Sequence, residues 1–329
     1  EFRRVLFRSI HATYPHLPLL IGSRDLSRAQ NAAKEMGGAQ GVVIDTACAD
    51  LGLGEQKISA VVVLYKDHSL AALRFAQSRG VSHLSISSGV FEIAPEIANF
   101  MNAPHAAAVV LGYEWLVGAT TVPTLHLSKA FSRVHKIRIG ALVDEEDVGG
   151  PAVAADFEHL NHLMPAALTR RAGVYIWREG NDARTTFSAV DGTEIDATGF
   201  SSIDVAGLAS ATGAHSVQFD LGTGVSSSRR DGGKFSTEII IEISGLDLAG
   251  QALHTRHAVV HPGGAAPLTG MGIALLLERL VGLDGKPPVA PGLYFPYQIL
   301  ETSHYLARLA EEGGQLMELS LPSGSGTEQ

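Results

Sequence analysis

The first third of the chain alternates short, continuous apolar runs with longer stretches of helical period. Leu17–Gly22 (LPLLIG) follows a proline and reads as a buried strand. Asp25 is placed to cap a helix through Met36 that closes at Gly37–Gly38. Gly41–Asp45 (GVVID) and Ser59–Leu64 (SAVVVL) are further apolar runs, and His68–Ser78 is helical in pattern up to Gly80. Val81–Ser87 and Ala106–Leu111 complete a set of five strands. Continuous apolar strands separated by helices predict parallel βαβ units with both sheet faces covered. Right-handed crossovers then give a doubly wound α/β sheet.

Beyond Val134 the pattern changes. His135–Asp144 alternates, so one face is wet. Val153–Leu163 reads as a helix, and Val174–Trp177, Thr185–Val190 and Ser216–Leu221 as short strands. Phe235–Ser244 and Gln251–His261 are two longer strands joined across Gly245–Gly250. Together they predict an antiparallel sheet in a second, mixed α/β domain. Ala265–Val281 and Thr302–Glu311 are helices, Pro287–Pro296 is extended, and Pro322–Gln329 reads as a disordered tail. The expected boundaries are 10–132 for the first domain, 133–264 for the second, 265–314 for closing helices that pack back on the first, and 315–329 for the tail. Residues 1–9 (EFRRVLFRS) resemble the in-frame translation of a common sequencing adapter. On that reading the natural chain enters at Ile10 and lacks its upstream part.

Composition narrows the classes. Of the 329 residues, Lys and Arg number 25 and Asp and Glu 34, a net charge of −9. An acidic balance argues against nucleic acid as a partner, because phosphate binding needs a basic surface. No apolar run reaches the roughly 18 residues that a membrane helix needs. Cys48 is the one cysteine. It forbids an internal disulfide and Cys-based zinc frameworks, and a reducing, cytoplasmic home is the expectation.

The strand ends carry the candidate chemistry. A doubly wound sheet binds ligands beyond the C-terminal ends of its strands. In a dinucleotide fold the first strand runs into a glycine-rich turn and a helix N-terminus that holds the pyrophosphate. No G-x-G-x-x-G stands at the start of this chain, which begins where the end of that first helix would lie. The next strand ends in Gly22-Ser23-Arg24, the position that reads the adenosine ribose. A guanidinium there suits a 2′-phosphate, whereas an acid would suit a free hydroxyl, so NADP(H) is expected over NAD(H). The other reading is a solvated Arg24 beside a helix-capping Asp25. Asp45, Leu64-Tyr65 and Ser87-Ser88 end the following strands and are further cofactor-binding candidates, each with an ordinary loop as its alternative.

The chain resembles the saccharopine dehydrogenase-like oxidoreductases. The resemblance is carried by LPLLIGSRDLSRAQ, by AVVVLYKDHSLAALRFAQSRGVSHLSIS, and by a Gly-Tyr-Glu-Trp turn leading into a long helix at Leu116–Phe131. The STEIIIEISG hairpin, the HPGG…GMGIALLLERLVG helix and PPVAPGLYFP extend it over roughly residues 10 to 312. It implies an NADP-binding Rossmann domain, a mixed α/β domain after it, and often a homodimer. Two departures stand out: the glycine loop is absent, and the fourth strand ends in Ser-Ser where relatives often carry an acid. Saccharopine or lysine is therefore not inferred as substrate.

Hydride transfer needs a positioned small-molecule substrate and usually a proton donor. Tyr113 and Glu114, after the fifth strand, and His261, before Pro262-Gly263-Gly264, are the catalytic candidates. Asp67 and His68 after the third strand are further candidates. For each, packing or capping is the alternative. The acidic run Asp144–Asp147 reads as a solvated loop or as a contact for a cationic substrate or a metal. His159 with His162, and His257 with His261, share faces without a third ligand, so no metal is expected. A non-catalytic NADP-binding sensor or interaction protein on the same fold is the alternative function.

Overall fold

The computed structural model describes residues 10, 13–37, 39–86, 89–90, 92–147 and 166–321. The chain divides into two units: Glu1–Tyr113 with Thr269–Leu300, and Glu114–Leu268 with Glu301–Gln329.

The first unit opens with β1 (Leu19–Ser23), α1 (Leu26–Met36) and β2 (Ala39–Val43). Asp25 caps α1 by accepting from the Ser27 and Arg28 amides, and Gly37 ends it at φ 64°. Helix α1 lies so close to β2 that a Cβ on Gly41 would come within 2.5 Å of the Gln30 nitrogen. There follow β3 (Ala60–Val63), α2 (Ala71–Arg79), β4 (Ser82–Ser85), α3 (Ala94–Met101) and β5 (Ala108–Leu111). A late strand, β14 (Gly292–Tyr294), returns beside β5.

Every pairing in this unit is parallel, as expected, yet the strands form two sheets and not one. One is β1–β2; the other runs β14-β5-β4-β3. Among the described residues β1 pairs only with β2, and β3 only with β4. The consequence is visible in burial. Strand β5 has neighbours on both sides and is buried throughout, whereas the equally apolar β1 and β3 are mostly half-buried.

In the second unit, Trp115–Gly118 form a turn before α4 (Thr121–Ser128). The long helix expected over Leu116–Phe131 is shorter for two reasons. Leu116 and Val117 take left-handed φ values of 49° and 56°, which a helix cannot include. At the other end Phe131 already opens β6 (Phe131–Asp144). Next come β7 (Ala167–Arg171), β8 (Val174–Arg178), β9 (Arg184–Ser188) and β10 (Glu194–Gly199). They are followed by α5 (Asp204–Thr212), β11 (Ser216–Gly224), α6 (Ser227–Arg230), β12 (Thr237–Asp247) and β13 (Ala252–His261). Helix α7 (Ala265–Val281) begins here and crosses the boundary between units, while α8 (Thr302–Glu311) and β15 (Gln315–Glu318) close the chain.

The sheet order is β15-β13-β12-β6-β11-β10-β9, with the β7–β8 hairpin attached to β11. It is mixed where an antiparallel sheet was expected, because β6 and β11 run parallel in register from Ser216↔Lys136 to Gly224↔Asp144. Gln315–Glu318, expected within the tail, instead pairs with β13 and caps that edge of the sheet. One face carries a core of Leu142, Phe187, Ala189, Ile195, Ile240 and Ala258. Helix α4 packs on α5, and α5 on β11. The expected helix at 153–163 and the tail at 322–329 lie outside the described residues.

Candidate functional site

In the first unit the C-terminal ends of β3, β4 and β5 gather a set of polar side chains. Ser85 is the last residue of β4, Tyr113 follows β5, and Glu96 projects from α3. Gly112 makes the approach possible. Its amide donates to the Ser85 carbonyl at 2.7 Å, and a Cβ there would come within 2.7 Å of that same oxygen. Tyr113 is thereby held over Ser85. The Tyr113 hydroxyl donates to Glu96 Oε1, the Ser85 hydroxyl donates to Glu96 Oε2 at 2.9 Å, and the two hydroxyl oxygens are 2.7 Å apart. All three side chains are largely withdrawn from solvent, Glu96 being buried outright.

This triangle can store a proton. Three oxygen–oxygen contacts need three protons to be filled. Two hydroxyls supply two, so an ionised Glu96 leaves one contact empty and a protonated one fills it. A cavity of about 10 Å³, room for one water, adjoins Ser85 and Glu96 and is lined also by Tyr65, Asp67 and His83. Burial pushes the His83 imidazole down to about 4, against the charge of Asp67. His83 is therefore neutral, and its Nδ1 has no hydrogen-bond partner among the described residues. Beside this cluster, Lys66 Nζ pairs with Glu92 Oε2 at 2.8 Å, and the Gly89 amide donates to the same carboxylate at 3.0 Å. The pair ties the loop after β3 to the loop after β4.

The expected cofactor residues are distributed around these strand ends. Arg24 is exposed just after β1 and makes no ion pair or hydrogen bond among the described residues. Its charge opposes the rise in the Tyr65 phenol that burial and Asp67 produce, so the two lie near one another. Ser23 Oγ accepts from the Asp25 amide at 3.2 Å, which makes Ser23 part of the α1 cap. Asp45 is exposed and accepts from the Ala47 amide and the Cys48 thiol, which hold its carboxyl below the usual range. The same bond to Asp45 pushes the Cys48 thiol up, away from nucleophilic use. Leu64 and Tyr65 follow β3, Leu64 half-buried and Tyr65 exposed. Ser87 and Ser88 lie outside the described residues. Asp67 accepts from the Ser69 and Ala72 amides and so braces the turn that enters α2.

The other two catalytic candidates belong to the second unit. Glu114 is buried and accepts from the Thr121 hydroxyl. Burial, with the Glu114 charge behind it, pushes the Tyr305 phenol far up. His261 is buried with both ring nitrogens engaged. Nδ1 accepts from the Gly263 amide at 3.0 Å, and Nε2 bonds the Glu312 carbonyl at 3.1 Å. Burial pushes this imidazole down, against the Glu312 carbonyl. The acidic run is held in place by one guanidinium and by backbone amides. Arg229 pairs with Glu145 at 2.6 Å and Glu146 at 2.5 Å, Asp144 accepts from the Ser226 amide, and Asp147 accepts from the Ala265 amide that opens α7. His159 and His162 lie outside the described residues. Among the described residues no group of three or more His, Cys, Asp or Glu could hold a metal ion, and no helix is long and apolar enough to cross a membrane.

Ser85, Glu96 and His83 were not singled out from the sequence. Glu96 sits on a helix that the apolar pattern does not mark, and Ser85 and His83 sit inside a strand that reads as packing.

No family profile matches the sequence, and no curated protein does. Solved structures do match in fold. Apo saccharopine dehydrogenase (L-Glu forming) from Saccharomyces cerevisiae aligns at TM-score 0.64 and 13% identity, over 97% of this chain and 98% of that one. An amine dehydrogenase from Mycobacterium smegmatis aligns at TM-score 0.53 and 13% identity, over 91% and 93%. The chain has the fold of the saccharopine dehydrogenase-like oxidoreductases.

Proposed function

We propose that this protein is an NADP(H)-dependent oxidoreductase acting on a small metabolite. The observation that carries the reading is the Ser85–Glu96–Tyr113 triangle at the C-terminal ends of parallel strands, where a doubly wound sheet places its chemistry. The fold shared with oxidoreductases supports it by analogy.

The residues present fit the adenosine end of such a cofactor. Arg24 is exposed, always charged and without a partner among the described residues, as a reader of a 2′-phosphate should be. The pyrophosphate cradle is not among the described residues. The open edges of β1 and β3 support a reading of where it belongs. One parallel strand paired to both would join the two sheets in the order β2-β1-x-β3-β4-β5-β14, which is the order of a dinucleotide fold.

When bound, the nicotinamide supplies or accepts a hydride. The protein's own residues handle the proton. In the reducing direction the Tyr113 hydroxyl gives its proton to the reduced oxygen or nitrogen of the substrate, and the Glu96 carboxyl restores it. Ser85 holds Glu96 and Tyr113 in register. Tyr113→Phe and Glu96→Gln are each expected to lower turnover by roughly 10²–10⁴-fold with NADPH affinity within about twofold of the parent. NADPH binding without turnover on any carbonyl or imine tested would instead indicate a cofactor-binding sensor.

A further inference from the structure

Among the described residues of the first unit, four large apolar side chains are left well exposed: Leu26 at 45%, Val43 at 44%, Tyr65 at 45% and Met101 at 70%. Single exposed apolar side chains are ordinary on a protein surface. Three of these four, however, stand at C-terminal ends of parallel strands. Val43 is the last residue of β2 and the register partner of Ser23, the last residue of β1. Leu26 opens α1, three residues beyond Ser23. Tyr65 lies two residues beyond the end of β3. The fourth, Met101, ends α3.

The exposed Arg24 stands in the chain between Ser23 and Leu26. Burial and then Asp67 push the Tyr65 phenol up and the Arg24 charge draws it down, so guanidinium and ring lie within electrostatic reach. The carboxylates of these loops are occupied locally. Asp25 accepts from the Ser27 and Arg28 amides, Asp45 from the Ala47 amide and the Cys48 thiol, and Asp67 from the Ser69 and Ala72 amides. Tyr65 has an anchored side, which lines the small cavity with Leu70 and Leu73, and an open half. Its hydroxyl has no hydrogen-bond partner among the described residues. The surface is therefore apolar and aromatic, with one exposed guanidinium beside it. It suits a flat, weakly polar ring that carries an anionic group close by.

We propose that Leu26, Val43 and Tyr65 seat a purine base, with Arg24 taking a phosphate on the attached ribose. This inference rests on the cofactor reading above and gives it side chains for the base. The base and a 2′-phosphate branch from adjacent carbons of one ribose, so a guanidinium that takes the phosphate delivers the base to its own neighbours. The Tyr65 ring stacks on one face of the base, and Leu26 and Val43 cover the side toward β1 and β2. Stacking uses the face of the ring and not its hydroxyl.

The test is calorimetric titration of the full chain with adenosine 2′,5′-bisphosphate, which carries the base and the 2′-phosphate but no nicotinamide. Proton NMR of the base protons H2 and H8 is recorded on the same samples. The parent should bind saturably, with both protons shifted upfield by the Tyr65 ring. Tyr65→Leu should weaken binding roughly tenfold, the scale of one base–aromatic stack, and remove most of the upfield shift. Tyr65→Phe should keep both affinity and shift. Leu26→Ser, at an exposed position, should weaken binding about threefold. Circular dichroism checks that each variant folds; if Tyr65→Leu does not, the upfield shift in the parent and the Leu26→Ser loss decide, and absence of either overturns the inference. No saturable binding by the parent would remove the cofactor reading and this inference together. Binding that Arg24→Ala weakens and folded Tyr65→Leu does not, or a Tyr65→Leu loss seen with NADPH but not with the bisphosphate, would overturn this inference and leave the cofactor reading standing.

Discussion

Ser85 and Tyr113 meet oxygen to oxygen at 2.7 Å across 28 residues of chain, each also bonded to one oxygen of Glu96. The contact joins the ends of two neighbouring parallel strands. Residues in one hydrogen-bond network couple energetically, whereas distant ones add. Ser85→Ala and Tyr113→Phe, measured singly and together by urea unfolding, should therefore show a coupling of about 0.5–3 kcal/mol. Tyr113→Phe alone should cost about 1–3 kcal/mol by leaving Glu96 short of a donor. Simple additivity would mean that the two hydroxyls do not act as one group.

Gly112 sets that contact. A methyl at this position meets the Ser85 carbonyl at 2.7 Å and Leu84 Cδ1 at 2.8 Å, one of them backbone that cannot swing aside. Gly112→Ala should destabilise by about 1–3 kcal/mol. It should also lower turnover more than it lowers NADPH affinity, since it displaces Tyr113 and not Arg24. Thermal melts and steady-state kinetics on the same preparation separate the two effects.

The proposed preference for NADP(H) rests on Arg24. Arg24→Ala should weaken NADPH by roughly tenfold or more, the scale of a charge-assisted phosphate bond, and leave NADH nearly unchanged. Nicotinamide fluorescence titrations measure both. An equal loss for the two cofactors would assign Arg24 to the solvated surface.

Asp204 makes the second unit sensitive to pH. It is fully buried and accepts from the Trp115 amide at 2.8 Å and from the Ser202 hydroxyl. Burial pushes its carboxyl up to about 6, against these donors and the Thr120 hydroxyl. Its folded value thus lies above its unfolded one, so folding favours the protonated acid. That stabilisation is complete below about pH 4 and is lost as pH rises through about 6, an effect on the order of 3 kcal/mol. Asp204→Asn cannot ionise. Its stability relative to the parent should rise between pH 5 and pH 8, measured by urea midpoints at both. A pH-independent difference would mean that Asp204 stays ionised throughout.

Much of the fold was legible in the sequence because local signals agreed with tertiary need. Asp25 and Gly37 bracket α1 as expected, and Ala265–Val281 and Thr302–Glu311 are helices with the bounds that their apolar period indicates. The misses have physical causes. The turn at Leu116–Val117 hides behind good helix formers, because nothing local marks a left-handed backbone at non-glycine residues. Strand β15 is only four residues long, with Leu316 and Met317 between Gln315 and Glu318, too short a run to mark a strand without its pairing to the edge of β13. The break between β1 and β3 cannot be read from either strand, since each is as apolar as its paired neighbours. The candidate site divides likewise. Tyr113 follows a strand and was legible. Glu96 and Ser85 matter through a contact that sequence spacing does not encode. Glu114 and His261, equally prominent in the sequence, are bonded within the second unit.

The most direct test of the proposed function is a paired titration of NADPH and NADH, followed by nicotinamide fluorescence, into the parent and into Arg24→Ala. The parent should bind NADPH at least tenfold more tightly than NADH, and the variant should lose that preference. Equal affinity of the parent for both cofactors, or no binding of either, would contradict it.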